Sequence, residues 1–289
     1  MRSSKALLCE ERKRFHQELL RNILFCDPKG IVSNADSNQT TSIKNAKRIF
    51  DLIGRGTKLQ RRPQAQSAGS LFESCVARFL QATFLKLSNL RPGEWDIYQV
   101  TSRSSNKIAD FAQYAHLDEL QRMLKAQKKL AAYLGNDYMV APDVVVVRHP
   151  ETDAKINAKK TLVDGSVAQS ADLRKVCNPL PLLHASVSCK WTIRSDRAQN
   201  ARAEALNLIR NRKGCQPHIV VVTAEPTASR LASLALGTGD IDCMYHFALY
   251  ELQQAINESE NDEAKDLLKT MIDGKRLKDI SDLPMDLAV

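Results

Sequence analysis

The sequence predicts an α/β protein: a central mixed β-sheet flanked by helices, with helical additions at the N-terminus. Three observations carry that expectation. Residues 5–25 place Leu7, Leu8, Phe15, Leu19, Leu20, Ile23 and Leu24 at a spacing that suits one helical face. From about Ser67 onward, helical periods alternate with short runs of strand character. Two of those runs, Asp143 to Val147 and His218 to Thr223, are rich in β-branched residues, as expected of buried strands.

The first helix is stopped by Asp27-Pro28-Lys29-Gly30, and a loop rich in Ser, Asn and Thr at 33–42 leads to a short helix near 43–53. Gly54-Arg55-Gly56 ends that helix; it lacks the G-x-x-x-x-G-K-[ST] spacing of a phosphate loop. A helix follows at 68–88, a strand at 95–101, and a long helix at 110–134 closed by Gly135. Pro142 introduces the strand that opens at Asp143, and residues 150–180 form a polar excursion from the core. Then come a strand at 183–190, a helix at 196–213 stopped by Gly214, a strand at 218–224, another near 242–249, and one or two final helices. The chain, 1–289, is expected to form one domain: a mostly helical part at 1–66, an α/β core at 67–250, and C-terminal helices at 251–289.

With 43% hydrophobic and 26% charged residues, the composition is that of an ordinary folded protein. No apolar run approaches the roughly 20 residues of a membrane helix, and the N-terminus is a charged amphipathic stretch with no signal-like core, so a bacterial cytoplasmic protein is expected. The seven cysteines are scattered and form no C-x-x-C pair, which argues for free thiols over disulfides or a zinc site. The six histidines show no metal-ligand spacing, and Lys125 to Lys129 read as a solvated helix face. A net charge of +9, from 42 Lys and Arg against 33 Asp and Glu, favours a polyanionic partner through phosphate contacts.

Asp143 opens one strand and Lys190 closes another. If those strands are antiparallel neighbours, the two residues meet at one end of the sheet. Alternation puts Ser186, Ser188 and Lys190 on one face and Ala185, Val187 and Cys189 on the other, which sends Cys189 to the core. A carboxylate to hold a hard cation and a lysine to steady developing charge are what metal-assisted phosphodiester hydrolysis needs. A second carboxylate can come from Glu204. On the helix that starts near Asp196, positions 197, 201, 204 and 208 form one stripe, with Glu204 about 10 Å along from Arg197.

Between strand and helix runs Arg194-Ser195-Asp196-Arg197. Arginine can bond guanine O6 and N7 with two hydrogen bonds, and aspartate can accept from the cytosine amine, so this turn carries the groups that read G·C pairs. The alternative is a helix cap at Ser195 or Asp196 with solvated arginines.

Pro142-Asp143 with Ser188-Cys189-Lys190 resembles the P-D…[DE]-x-K nuclease superfamily, except that Ser188 stands where a metal-binding acid is expected. Taken with R-S-D-R and the helix glutamate, it resembles the restriction endonucleases that cut sites with a CCGG core, from Phe72-Glu73 through the 218–230 region. That resemblance implies a restriction-endonuclease-like core and Mg²⁺, two ions per site, with Asp143, Glu204 and Cys189 as metal ligands. It implies Lys190 as the catalytic lysine, Ser188 at the place of the departed acid, and Glu73 as a nearby acidic group. Arg194, Asp196 and Arg197 would read the inner CCGG, and Arg230 and Gln66 the outer pairs. It further implies cleavage of double-stranded DNA at G-C-C-G-G-C after the first G, leaving 5′ overhangs, by a homotetramer of two dimers paired with a cognate DNA methyltransferase. A structure-specific repair or junction nuclease, or a non-catalytic repressor, are the alternative readings.

Overall fold

The computed structural model describes residues 5–54, 65–100, 108–126, 141–237 and 239–289. Three helices, α1 (Leu7–Asn22), α2 (Thr40–Ile53) and α3 (Ala65–Thr83), precede the first strand, β1 (Trp95–Gln99). Helix α4 (His116–Ala126) then leads towards β2 (Val144–Arg148), and β3 (Leu182–Lys190) follows the excursion. Strands β4 (His218–Thr223), β5 (Cys243–His246) and β6 (Leu277–Asp279) complete one six-stranded sheet in chain order, β1 to β6. The pairings β1–β2 and β2–β3 are antiparallel and those from β3 to β6 are parallel, so the sheet is mixed.

Parallel neighbours need a crossover, and helices supply each one. Helix α5 (Ser195–Asn211) joins β3 to β4, α6 (Ala228–Ala235) joins β4 to β5, and α7 (Leu249–Asn257) with α8 (Asp262–Asp273) joins β5 to β6. Val144 to Val147 are at most 1% exposed, the burial expected of a β-branched strand covered on both faces. Helix α3 lies across β1, β2 and β3, and α1 packs on α3. One apolar core runs from Phe15 on α1 to Leu287 near the C-terminus.

The expected helix at 110–134 forms differently. Two short 3₁₀ turns, Ile108–Asp110 and Ala112–Tyr114, precede α4, and residues 127–140 lie outside the described residues. Gln113 explains the break. Its carbonyl accepts from Lys213 N–H (2.8 Å), and its side chain both donates to Leu183 O (2.8 Å) and accepts from Leu183 N–H (3.0 Å). A residue pinned to two other segments cannot keep the hydrogen-bond ladder of a continuous helix. Helix α6 and strand β6 correspond to no element expected from the sequence; β6 is only three residues long, too short for alternation to register.

The excursion is organised around Arg174, which is 4% exposed. Its guanidinium pairs with Asp153 (2.6 Å) and donates to the carbonyls of Val167 (2.6 Å), Ala168 (3.1 Å) and Asp164 (2.9 Å).

Arg12 clamps the two ends of the chain. From α1 it reaches Glu251 on α7 (2.6 Å) and the fully buried Asp279 of β6 (2.8 Å). Burial pushes both carboxyls up, but hydrogen bonding and charge from Arg12 outweigh it and hold them below the ordinary carboxylate range. Carboxyls depressed in the fold stabilise it above their unfolded values, near 4, and that stabilisation is lost as pH falls through the lower folded values. Arg12→Met leaves Asp279 charged and unpaired, and urea unfolding at neutral pH should show a loss of about 3–5 kcal/mol. An unchanged midpoint would contradict the clamp.

Candidate active site

The register of β2 on β3 pairs Val144 with Val187, so Asp143, one step before β2, arrives opposite Ser188. The antiparallel pairing expected from the sequence therefore holds. Asp143 Oδ2 accepts the Cys189 N–H at 2.7 Å and lies 3.2 Å from Lys190 Nζ and 3.5 Å from Ser188 Oγ. Glu204 comes in from α5, where Ala201, Ala205 and Leu208 are buried at 2% exposure or less and seat the helix on the core. Its Oε2 lies 3.3 Å from Ser188 Oγ and 3.8 Å from Lys190 Nζ. The Ser188 hydroxyl thus stands between two carboxylates, with Lys190 beside both.

Glu73, on α3, closes a third side. Gln99 at the end of β1 donates to its Oε2 (2.7 Å) and to Ser70 Oγ (3.0 Å), and accepts from Ser74 Oγ. Burial, and then the charge of Asp143, push the Glu73 carboxyl up. Glu204 is pushed up by burial, with Asp143 adding to it and Lys190 opposing. Burial works to lower Lys190, but Asp143 and Glu204 outweigh it and raise the ammonium above its ordinary value. Lys190 is therefore a cation here: it can steady negative charge or orient a water, but it is not set to accept a proton.

Cys189 faces the core at 5% exposure, as alternation requires, and burial followed by the charges of Asp143 and Glu73 pushes its thiol well up. A neutral buried thiol is a poor partner for a hard cation. What Cys189 brings to the site is its main chain.

A hard divalent cation fits this donor set of carboxylate and hydroxyl oxygens. No cluster of three His, Cys, Asp or Glu side chains able to hold an ion occurs among the described residues. A protein that offers two carboxylates and leaves the other positions to water and phosphate suits Mg²⁺, which sheds its waters reluctantly.

Arg194 and Arg230, separate bets from the sequence, come together. They line one open cleft of about 630 Å³ with Asp36, Gln199, Arg202 and Ser233. Arg230 pairs with Asp36 and lies 3.8 Å from the carboxylate of Glu225. Arg194 occupies the cap position of α5 and makes no side-chain capping bond, so the cap is neither Ser195 nor Asp196, and Asp196 is exposed in the first turn. The side chains of Arg197, on α5, and Gln66, in the first turn of α3, lie outside the described residues. Gln99, Asp36 and Glu225 were not singled out by sequence: each is a lone polar residue whose importance depends on a distant partner.

His16 and His246 are buried, with their Nε2 atoms 2.7 Å from Phe247 O and 3.1 Å from Glu225 O, which suits structural roles.

Asp143 and Lys190 on an antiparallel strand pair, with Glu204 brought in from the following helix, match a P-D…x-K nuclease core with serine in place of the strand acid. The chain belongs to the NgoMIV restriction enzyme family, whose family model matches residues 15–289. It is similar to the type II restriction enzyme NgoMIV of Neisseria gonorrhoeae, at 54% identity over 284 residues, 98% of this chain and 99% of that protein. By that membership it is a type II site-specific DNA endonuclease, and such enzymes generally depend on a divalent metal. A solved structure of restriction endonuclease PspGI in complex with substrate DNA aligns over 98% of this chain and 92% of that one. At 12% identity and a TM-score of 0.28, that superposition is too loose to bear on the site. No described helix is long and apolar enough to cross a membrane.

Because Asp143 raises both Glu73 and Glu204, removing its charge should lower them. In the metal-free Asp143→Asn protein, carboxyl-labelled NMR titration should find both midpoints closer to the ordinary glutamate value. Unchanged midpoints would mean that the three acids do not share one field.

Proposed function

We propose that this endonuclease hydrolyses double-stranded DNA at G-C-C-G-G-C with Mg²⁺, two ions per active site, cutting after the first G to leave 5′ overhangs. The observation that carries the reading is the placement of Asp143 and Glu204 on either side of Ser188, within 4 Å of Lys190. Asp143 and Glu204 would hold the metal, which would polarise the scissile phosphate and favour ionisation of the attacking water. Cys189 would contribute its carbonyl, the one oxygen it can offer a hard cation. Lys190 orients the water for in-line attack and steadies the charge that develops on phosphorus, and Glu73 sets the field behind Asp143.

Specificity comes from the turn before α5. Arg194 and Arg197 reach guanine edges of the inner CCGG and Asp196 accepts from cytosine, while Arg230 and Gln66 read the outer pairs. Asp36, beside Arg230, adds an acceptor suited to the cytosine of an outer G·C pair. The enzyme acts as a homotetramer of two dimers in a bacterial cytoplasm, with a cognate methyltransferase protecting the host's own sites.

Incubating the protein with Mg²⁺ and a plasmid of known sequence, then sequencing the ends, tests this directly. The expected ends carry CCGG as a 5′ overhang with a 5′-phosphate; blunt or scattered ends would contradict it. Lys190→Ala should cut about 10²–10³-fold more slowly, the usual loss for one stabilising donor. Cleavage by that variant at the wild-type rate would remove Lys190 from the chemistry.

A further inference from the structure

Behind the cleft lies a carboxylate that the chemistry above does not use. Glu225, just past β4, is 0% exposed. Its Oε2 accepts the Ile193 N–H (2.9 Å), and its Oε1 accepts the Thr227 N–H (3.1 Å). Arg230 Nη1 lies 3.8 Å from Oε2, the same oxygen that holds Ile193. Ile193 is the residue before Arg194, and Arg230 lies on α6, so one buried side chain touches both segments whose arginines line the cleft.

The surroundings hold Glu225 firmly. Its own N–H donates to Thr223 Oγ1 (3.1 Å), and its carbonyl lies 3.1 Å from His246 Nε2. Flanking carbonyls are fixed from elsewhere: Asn34 donates to Ala224 O (2.7 Å) and Asn45 to Pro226 O (3.0 Å). The groups that contact the carboxylate are the Ile193 and Thr227 amides and the Arg230 guanidinium, all of them donors. Arg230 is hydrogen-bonded on its outer side to Asp36, which lines the open cleft, and faces Glu225, which does not, at 3.8 Å on its inner side. DNA entering the cleft can compete for the first partner and leaves the second in place.

We propose that Glu225 is a positioning residue for specificity, coupling the reader of the inner CCGG to the reader of the outer base pair. The inference rests on the assignment of Arg194 and Arg230 as readers. Glu225 touches neither substrate nor metal; it anchors the main chain before Arg194 through the Ile193 amide and sets its charge 3.8 Å from the Arg230 guanidinium. Its loss should therefore blunt discrimination at both positions while leaving the chemical step alone.

The test uses full-length protein and the isosteric Glu225→Gln variant. Binding in Ca²⁺ would be compared for duplexes carrying G-C-C-G-G-C, the same site with its outer pair exchanged, and the same site with one inner pair exchanged. Single-turnover cleavage at saturating enzyme gives the chemical rate, and a melting curve reports folding. Replacing the carboxylate by an amide weakens the charge-assisted bond from the Ile193 amide and removes the 3.8 Å ion pair with Arg230, and it should cut discrimination against both exchanged duplexes about tenfold. The single-turnover rate on the cognate site should stay within about twofold, since no catalytic contact is lost.

Arg230→Ala separates the underlying reading from the coupling. If Arg230→Ala keeps full outer-pair discrimination, the assignment of Arg230 fails and the proposal falls with it. If Arg230→Ala loses that discrimination but Glu225→Gln keeps it, the coupling alone is wrong. In the double variant, Glu225→Gln should remove no further outer-pair discrimination. Equal weakening on all three duplexes, or additive losses in the double variant, would make Glu225 merely structural and overturn the proposal. Should Glu225→Gln melt too early to assay, Glu225→Asp, which keeps the charge and shortens the reach, is expected to retain inner discrimination better than outer; equal retention would overturn it.

Discussion

The antiparallel pairing of β2 with β3 is the constraint on which the rest of the site depends. It brings the start of one strand to the end of the other, where the Cys189 amide fixes the Asp143 carboxylate with a 2.7 Å hydrogen bond. A slip of one residue would turn Ser188 and Lys190 into the core and Cys189 out towards the acids, because strand side chains alternate. The buried run from Val144 to Val147 guards against such a slip, and the bulge between Val146 and Val147 lies towards the end of β2 remote from Asp143. Catalytic geometry is thus inherited from core packing.

On that frame, α5 does two jobs. Its first turn carries the proposed base readers, and Glu204, further along, returns to the catalytic strand. We propose that the acid missing at Ser188 is replaced from this helix; the serine hydroxyl lies between the two carboxylates, 3.5 Å from Asp143 and 3.3 Å from Glu204. In the proposed reading the same helix would carry both base readers and a metal ligand, which would link the fit of the bases to the placement of the second carboxylate. Glu225 holds the entry to this helix from below.

Much of this was legible in the sequence because it lies in local patterns. The β-branched runs marked β2 and β4, alternation in 185–190 sorted Ser188 and Lys190 from Cys189, and the apolar stripe around Glu204 marked it as misplaced for a surface residue. The family's residues then supplied roles that no pattern could. What stayed hidden depends on partners far away in the chain: Gln113 breaks a helix because of Leu183 and Lys213, and Gln99 matters because of Glu73. Asp36 sits in a loop whose composition suggested only a turn, and its importance comes from Arg230, 194 residues later. The capping alternative at Ser195 and Asp196 was open in sequence because a cap needs only the right residue at the right spot. The structure puts Arg194 there instead.

In the proposed mechanism a helix glutamate does the work of the absent strand acid. Calcium titration of Glu204→Gln by calorimetry, alongside its Mg²⁺-dependent cleavage, tests this most directly. The account predicts a cation affinity at least about tenfold weaker, the scale of losing a ligand contact, and cleavage lost with the fold intact. Wild-type affinity and wild-type cutting in that variant would show that the second carboxylate comes from somewhere else.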